Sequence, residues 1–362
     1  MTTQVDSTVD VIAPPPSFEL DPDKIEFGRT FVPLWFSTRY SGGRWDAPRI
    51  EKLGGIDLHP AAIVFHYAQA IFEGLKAYKW ADGSVHLFRP EQNARRMNRS
   101  AVRMAMPEID EKVFVDGIRD LVARQRDWIP RFPGSLYVRP TMIGTEPCIG
   151  VRPSSEFLFY ILTLPSGAYF PKRSSVAGTQ TVPVYVTTSV GRAAPGGTGN
   201  VKAAANYAIT LQVIGEAKKK GCAQVLFLDA RAQGNIEEMG GMNVFFVSGR
   251  KLITPCLHDT ILPGITRDSI LHLAPALGFE AVEEDVHFDT LIRQIEDGTV
   301  TEAFACGTAA VVAGIDTFVL DDGRRVRIGS GQCGPVTDTL YHHLVDIQYG
   351  NRPDPFGWMV TV

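Results

Sequence analysis

The chain has 362 residues, 44% of them hydrophobic, with a formal net charge of -4. At roughly 100–200 residues per domain this is material for two apolar cores. The mild, unclustered charge lacks the basic stripe of a nucleic-acid binder, and no apolar run reaches the ~20 residues of a membrane-spanning helix.

Residues 1–22 are polar and proline-rich and read as a flexible arm. Their opening, MTTQVDSTVDVIAPPPSF, lacks the basic start and apolar block of a signal peptide. From 23 to 170 short strand-like runs alternate with helices. VHLFR (85–89) reads as a strand, and Met97, Ala101, Met104 and Ala105 mark the apolar stripe of a helix. Val113, Phe114, Ile118, Leu121 and Val122 give a second helix within 113–129, and LYVRPTMIG (136–144) and EFLFYILTL (156–164) read as buried strands. Gly, Pro, Ser and charge over 171–182 mark an interdomain linker. Beyond it strands are expected at 182–188, 223–229, 243–247 and 251–255, and helices at 203–220, 267–277 and 288–297. The fold class is therefore mixed α/β (α+β), with two unequal domains at 23–170 and 183–362. Cys148, Cys222, Cys256, Cys306 and Cys333 include no C-x-x-C, which suits reduced thiols in the cytoplasm.

Between Arg192 and Glu216 the only charged residue is Lys202, in APGGTGNVKAAANYAITLQVIG. Small neighbours let a flat ligand approach, and desolvation favours the neutral amine that can attack a carbonyl. A lysine snorkelling outward at a helix start fits the same residues.

In NIEEMGGMNVFFV (235–247) two glutamates precede a Gly-Gly step and an apolar strand. Side chains alternate across an extended chain, so at most one of Glu237 and Glu238 is expected to face inward, and an inward one needs a cationic partner. A protonated pyridine nitrogen is one such partner; two solvated turn glutamates are the other reading. LPGITRDSILHLA (262–274) leads from a Pro-Gly turn into a helix whose free N–H groups suit a phosphate, or whose start is simply capped by Thr266. ACGTAAVV (305–312) is a second small-residue turn able to approach an anion. GSGQCG (329–334) matches a dinucleotide fingerprint but lacks the downstream strand and acidic residue. No metal-ligand motif occurs, and His342 and His343 are expected on a helix surface.

In this order and spacing the parts resemble the branched-chain aminotransferases among the fold-type IV pyridoxal-phosphate enzymes. The resemblance runs from FGRTF (27–31) to GWMV (357–360). It is carried most specifically by HYAQAIFEGLKAY (66–78), NVKAAANYA (200–208), EEMGGMN (237–243), LPGITRDS (262–269) and ACGTA (305–309). It implies a pyridoxal 5'-phosphate cofactor at the interface of the two domains, a homodimer, and transamination of leucine, isoleucine and valine with 2-oxoglutarate. Lys202 would be the Schiff-base lysine and proton carrier, Glu238 the partner of the pyridine nitrogen, and Tyr207 that of the phenolic oxygen. Arg99, the backbone at Ile265 and Thr266, and Thr308 would hold the phosphate, with Arg192 nearby. Periodicity alone makes Arg99 a solvated residue, so its role comes from the resemblance.

Phe27, Tyr67, Phe72 and Tyr137 would form the apolar wall for a branched side chain. Arg139, in an otherwise apolar run, is expected to meet an anion, which the resemblance identifies with glutamate's distal carboxylate. Thr308 and Ala309 are also substrate residues by resemblance, and Ile149 and Val151 would reach into the partner subunit's site. Two departures stand out: Ala204-Ala205 replaces the family's usual Gly-Gly, and Ala310 and Ala313 replace the C-x-x-C of animal members. A D-amino-acid transaminase and an aminodeoxychorismate-type lyase are the alternatives within the fold, and a protein that only binds the cofactor is one outside enzymology.

Overall fold

The two apolar runs around residues 136 and 164 pair antiparallel along their whole length, from Ser135 opposite Ser166 to Gly144 opposite Phe157. They lie at the centre of one of two sheets in a computed structural model that describes residues 14, 20–167, 169, 179–231 and 234–362. In chain order the elements begin with β1 (Leu34–Ser41), β2 (Arg44–Trp45), β3 (Arg49–Lys52) and α1 (Ile63–Tyr67). There follow β4 (Ala70–Phe72), β5 (Leu75–Lys79), β6 (Val85–Phe88), α2 (Pro90–Arg103), α3 (Glu111–Arg124), β7 (Ser135–Gly144) and β8 (Phe157–Ser166). Next come β9 (Thr181–Thr187), α4 (Ala205–Ala208), α5 (Leu211–Lys219), β10 (Gln224–Leu228), β11 (Ile236–Met239), β12 (Asn243–Ser248) and β13 (Lys251–Thr254). The rest are α6 (Ile265–Ala276), β14 (Glu280–Glu283), α7 (Phe288–Glu296), β15 (Glu302–Gly307), β16 (Val311–Val319), β17 (Arg325–Arg327), α8 (Pro335–Gln348) and β18 (Met359–Thr361). Among the described residues no helix is long and apolar enough to cross a membrane.

The described residues divide into two units. The first holds those up to Tyr169 together with Lys202–Ala205 and Asp346–Val362; the second holds those of Phe170–Val201 together with Asn206–Val345. A single cut near residue 170 therefore misses two segments that return to the first unit. Of the 1–22 arm, Pro14 and Leu20 to Pro22 are described, and Pro22 is buried with its carbonyl against Gly167. Most of the 171–182 linker lies outside the described residues, and Thr181 already opens β9.

In the first unit the sheet order is β18-β6-β5-β7-β8-β1-β2, with β3 on β1 and β4 on β7. Phe114, Ile118, Leu121 and Val122 of α3 are fully buried in one cluster with Phe36, Phe159 and Met97. Each such side chain contributes about 1.5–3 kcal/mol by leaving water. A Cβ at Gly117 would come within 2.6 Å of the Phe36 ring, so this close approach of α3 to β1 requires glycine. The expected stripe ends early: α2 stops at Arg103, and Ala105 turns away with φ 52°.

The helix α2 is tied to the bend between β4 and β5 by a buried ion pair. Arg96 Nε reaches Glu73 Oε1 at 2.6 Å and Nη2 reaches Oε2 at 2.8 Å, while Asn93 Nδ2 donates to Oε2 at 2.7 Å. Burial alone would push the Glu73 carboxyl up. The Arg96 charge and hydrogen bonds outweigh it and hold the carboxyl below the usual range, with further help from Lys202 and Asn93.

In the second unit the order is β11-β10-β9-β16-β15-β12-β13-β14, with β17 on β16. β9 runs parallel to both β10 and β16, and Phe245 stacks on Phe304 with ring centroids 5.1 Å apart. The Gly-rich 329–334 stretch has a structural role here. Glu302 Oε1 accepts from Val336 N at 3.1 Å, and Oε2 accepts from Thr337 N at 2.8 Å and from Thr337 Oγ1 at 2.7 Å. The start of α8 is thus occupied by the protein's own carboxylate, which suits the positive end of a helix. A Cβ at Gly334 would lie 1.9 Å from Glu302 Cδ, so only glycine admits that carboxylate. Glu302→Ala should lower stability by about 1.5–3 kcal/mol, the usual contribution of hydrogen bonds to a charged group; urea unfolding measures it, and an unchanged midpoint would contradict the capping role.

The expected helix at 203–220 is two helices. Residues 202–204 pair with β4, so helix begins only at Ala205. Thr210 then closes the first turn, its N and Oγ1 both donating to the Tyr207 carbonyl.

Candidate active site

Lys202 lies on a segment that extends the first sheet. Phe72 N donates to the Lys202 carbonyl at 3.1 Å and Ala204 N to the Ala70 carbonyl at 2.9 Å, with Ala203 bridged to Ile71. On the other side Lys202 N donates to Ser100 Oγ at 3.0 Å, and Ser100 Oγ donates to the Arg96 carbonyl at 2.9 Å. Both backbone groups of the lysine are therefore fixed. Its side chain is half-buried, with Nζ 5.0 Å from the centre of the Phe72 ring. The setting is less apolar than the uncharged sequence window implies, because Glu73 follows Phe72 and its carboxylate feels the lysine charge.

Several of the expected wall residues gather in this unit. Tyr137 is buried and meets Phe27 edge-on, with centroids 5.1 Å apart. Arg139 Nη2 donates to Tyr137 Oη at 3.1 Å, and its guanidinium lies 4.6 Å from the centre of the Phe72 ring. A Cβ at Gly74 would fall 2.0 Å from Tyr137 Oη, so glycine makes room for the phenol. Tyr67 stands apart, 41% exposed, with its hydroxyl donating to the Ile149 carbonyl. Ile149 and Val151 are exposed on the loop after β7, and Arg99 is exposed on α2 beside Ser100.

The second unit gathers the acid and both turns. Glu238 is buried, with Oε1 at 2.7 Å from Arg192 Nη2 and Oε2 accepting from Asn243 Nδ2 at 2.9 Å. Arg192 also donates to the Gly199 and Thr260 carbonyls. Asn243 Nδ2 donates further to the Leu262 carbonyl at 3.0 Å, and Asn243 pairs in register with Cys306. Asn243 thus fastens Glu238 to the loop before α6 and adjoins the strand end that leads into Thr308 and Ala309. A Cβ at Gly264 would meet Asn243 Oδ1 at 2.0 Å, which explains the glycine of the Pro-Gly turn. Gly264 is the N-cap of α6 and no side chain caps it; Thr266 sits inside the helix and is buried, so the capping expectation fails. Tyr207 is half-buried on α4.

One expectation about the glutamates is overturned. Glu237 and Glu238 are both buried, because every residue of β11 is covered and neither face of the strand is left to solvent.

The family model described as amino-transferase class IV matches residues 70–318, a span that contains the lysine, the acid and both turns. The chain belongs to the class IV aminotransferases. A branched-chain-amino-acid aminotransferase of Mycobacterium tuberculosis is 44% identical over 343 residues, covering 93% of this chain and 92% of its own. Among solved structures, the branched-chain amino acid aminotransferase of Escherichia coli superposes with a TM-score of 0.75 at 28% identity, over 91% of this chain and 99% of that one. That of Thermobaculum terrenum, solved in its PLP-bound holo form, gives 0.70 at 26% identity over 90% and 97%.

The aminotransferase's two sheets agree with the mixed α/β class expected from sequence. Sequence reasoning passed over four of the residues that shape its site. Ser100 and the Glu73–Arg96 pair anchor and surround the lysine segment, and Asn243 links the acid to α6. A signal existed for Glu73, a lone carboxylate in the apolar QAIFEGL run. For Asn243 the signal was its place at the head of a buried strand. Among the described residues no group of three or more His, Cys, Asp or Glu side chains is placed to hold a metal ion.

Proposed function

We infer that this aminotransferase moves the amino group of leucine, isoleucine or valine to 2-oxoglutarate, yielding branched-chain 2-oxo acids and L-glutamate, with pyridoxal 5'-phosphate as cofactor. The observation that carries the reading is the buried Glu238, held by Arg192 and Asn243 beside a helix start without a side-chain cap. That donor set fits the cofactor: a buried acid for a protonated ring nitrogen, backbone N–H groups and Thr308 for a phosphate, and an amine for an aldehyde. Relatives and structures similar along most of the chain bear the branched-chain name, which favours this reading over the D-amino-acid and lyase alternatives.

The cofactor, when bound, supplies an aldehyde for covalent attachment and a ring that accepts electrons. Lys202 would hold it and, once displaced by substrate, carry the proton between the substrate α-carbon and the cofactor carbon. Glu238 would keep the ring nitrogen protonated, and Tyr207 would hydrogen-bond the phenolic oxygen. Arg99, the backbone of Ile265 and Thr266, and Thr308 would bind the phosphate, with Arg192 close by. Phe27, Tyr67, Phe72 and Tyr137 would enclose the aliphatic side chain, Arg139 would take glutamate's distal carboxylate, and Thr308 and Ala309 would complete the substrate contacts. Ile149 and Val151, left exposed in one chain, would extend to the other site of a homodimer. Five free cysteines suit a cytoplasmic enzyme.

Incubating the protein with L-leucine, 2-oxoglutarate and pyridoxal 5'-phosphate should give glutamate with ping-pong kinetics. L-isoleucine and L-valine should follow within roughly 10–200-fold, because one methylene in an apolar pocket discriminates weakly. Turnover of D-amino acids alone, or pyruvate release without a keto-acid acceptor, would overturn the assignment.

A further inference from the structure

The proposed chemistry gives no part to the buried carboxyl next to Glu238. Glu237 is 5% exposed, and its Oε2 has no hydrogen-bond partner among the described residues; the same holds for Arg192 Nε. Thr260 joins the two, since its side chain bonds the Glu237 carboxyl and its carbonyl accepts from Arg192 Nη2. Glu237 and Thr260 form the floor of a cavity of about 180 Å³, whose rim residues Arg231, His258, Asp259 and Asp285 are exposed. A buried carboxyl with an open acceptor thus faces a solvent-connected space on one side and the charge field of the Arg192–Glu238 pair on the other.

We propose that Glu237 is a positioning residue for Glu238, which exchanges a proton with solvent through this cavity and, when ionised, draws Arg192 off Glu238. The inference rests on the reading of Glu238 as the partner of the cofactor's ring nitrogen. With Glu237 neutral, Arg192 is committed to Glu238 and offsets the negative charge offered to the ring. With Glu237 ionised, the guanidinium is shared between two carboxylates and Glu238 becomes the stronger acceptor. Cofactor affinity therefore gains as Glu237 loses its proton.

The proton exchange falls in an accessible range. Burial pushes the Glu237 carboxyl up to about 7, against the Thr260 hydrogen bond and the Arg192 charge, with Glu238 and Asp229 adding to the rise. His258 pairs with Asp285 at 2.9 Å, and Asp259 accepts from Gly196 N, so these rim charges are engaged locally.

The test is the affinity of the apoprotein for pyridoxal 5'-phosphate across pH, in the wild type, Glu237→Gln and Thr260→Val. Wild type and Glu237→Gln should bind alike near about pH 6, where both side chains are neutral, and differ about three- to tenfold near about pH 8.5. Thr260→Val removes a bond that favours ionisation, so the affinity gain should move to higher pH. A protonated-carboxyl infrared band of the apoprotein should fade over the same interval and be missing from Glu237→Gln. A ratio of affinities independent of pH overturns the proposal. If Glu237→Gln does not fold, an unshifted Thr260→Val profile does so. A wild-type apoprotein that binds no pyridoxal 5'-phosphate at any pH overturns the cofactor reading and this inference together, whereas binding with a flat ratio overturns this inference alone.

Discussion

Lys202→Ala is expected to abolish glutamate formation from L-leucine and 2-oxoglutarate while leaving the fold intact. The proton transfer assigned to the amine accounts for about 10²–10⁴-fold in rate by itself, and loss of the covalent hold on the cofactor adds to it. The fold should survive because Ser100 and Phe72 bond the backbone of residue 202, which alanine retains. Steady-state turnover with circular dichroism as control measures both halves of the expectation. Activity equal to the wild type, or a borohydride-reduced cofactor found on another side chain, would remove the lysine from the mechanism.

The largest expected loss of stability comes from Arg96→Ala. The pair it forms with Glu73 is almost wholly out of water, with side-chain exposures of 4% and 0%. Removing one partner of such a pair leaves a buried charge and costs about 3–5 kcal/mol. The pH dependence has a definite sign. In the wild type the Glu73 carboxyl lies below its usual range, so the pair stabilises above the unfolded carboxylate pKa and is lost as pH falls through the folded value. In Arg96→Ala the same carboxyl is pushed up by burial, so the variant's deficit is greatest at neutral pH and shrinks on acidification. Urea unfolding at two pH values tests this, and Glu73→Gln placed on Arg96→Ala should recover part of the loss. A deficit that does not vary with pH would mean that packing, not charge, is what Arg96 supplies.

Much of the fold was legible because its longest strands are mostly apolar and its helices regularly spaced, as in β7, β8 and α3. The lysine stood out as one charge in a small-residue stretch, and the full set of candidate site residues came only through resemblance. Three features escaped for physical reasons. The fate of Glu237 depends on what covers the second face of β11, which alternation cannot report. The Gly-rich 329–334 stretch was set aside as a nucleotide loop, but its role escaped because the need for glycine at Gly334 arises from Glu302, some thirty positions earlier. The helix expected from 203 starts late because 202–204 pair with residues 70–72, a partnership more than a hundred residues away in sequence.

That last pairing sets where the Lys202 amine points. Neighbouring side chains on a strand project to opposite sides, so a shift of the 202–204 ladder by a single step would swing Lys202 away from Phe72 and bring Val201 or Ala203 in its place. Ala203 is wholly enclosed, so sliding in one direction would drive the long, charged Lys202 side chain into its closed position. The aim of the lysine is thus guarded by a methyl group one position along.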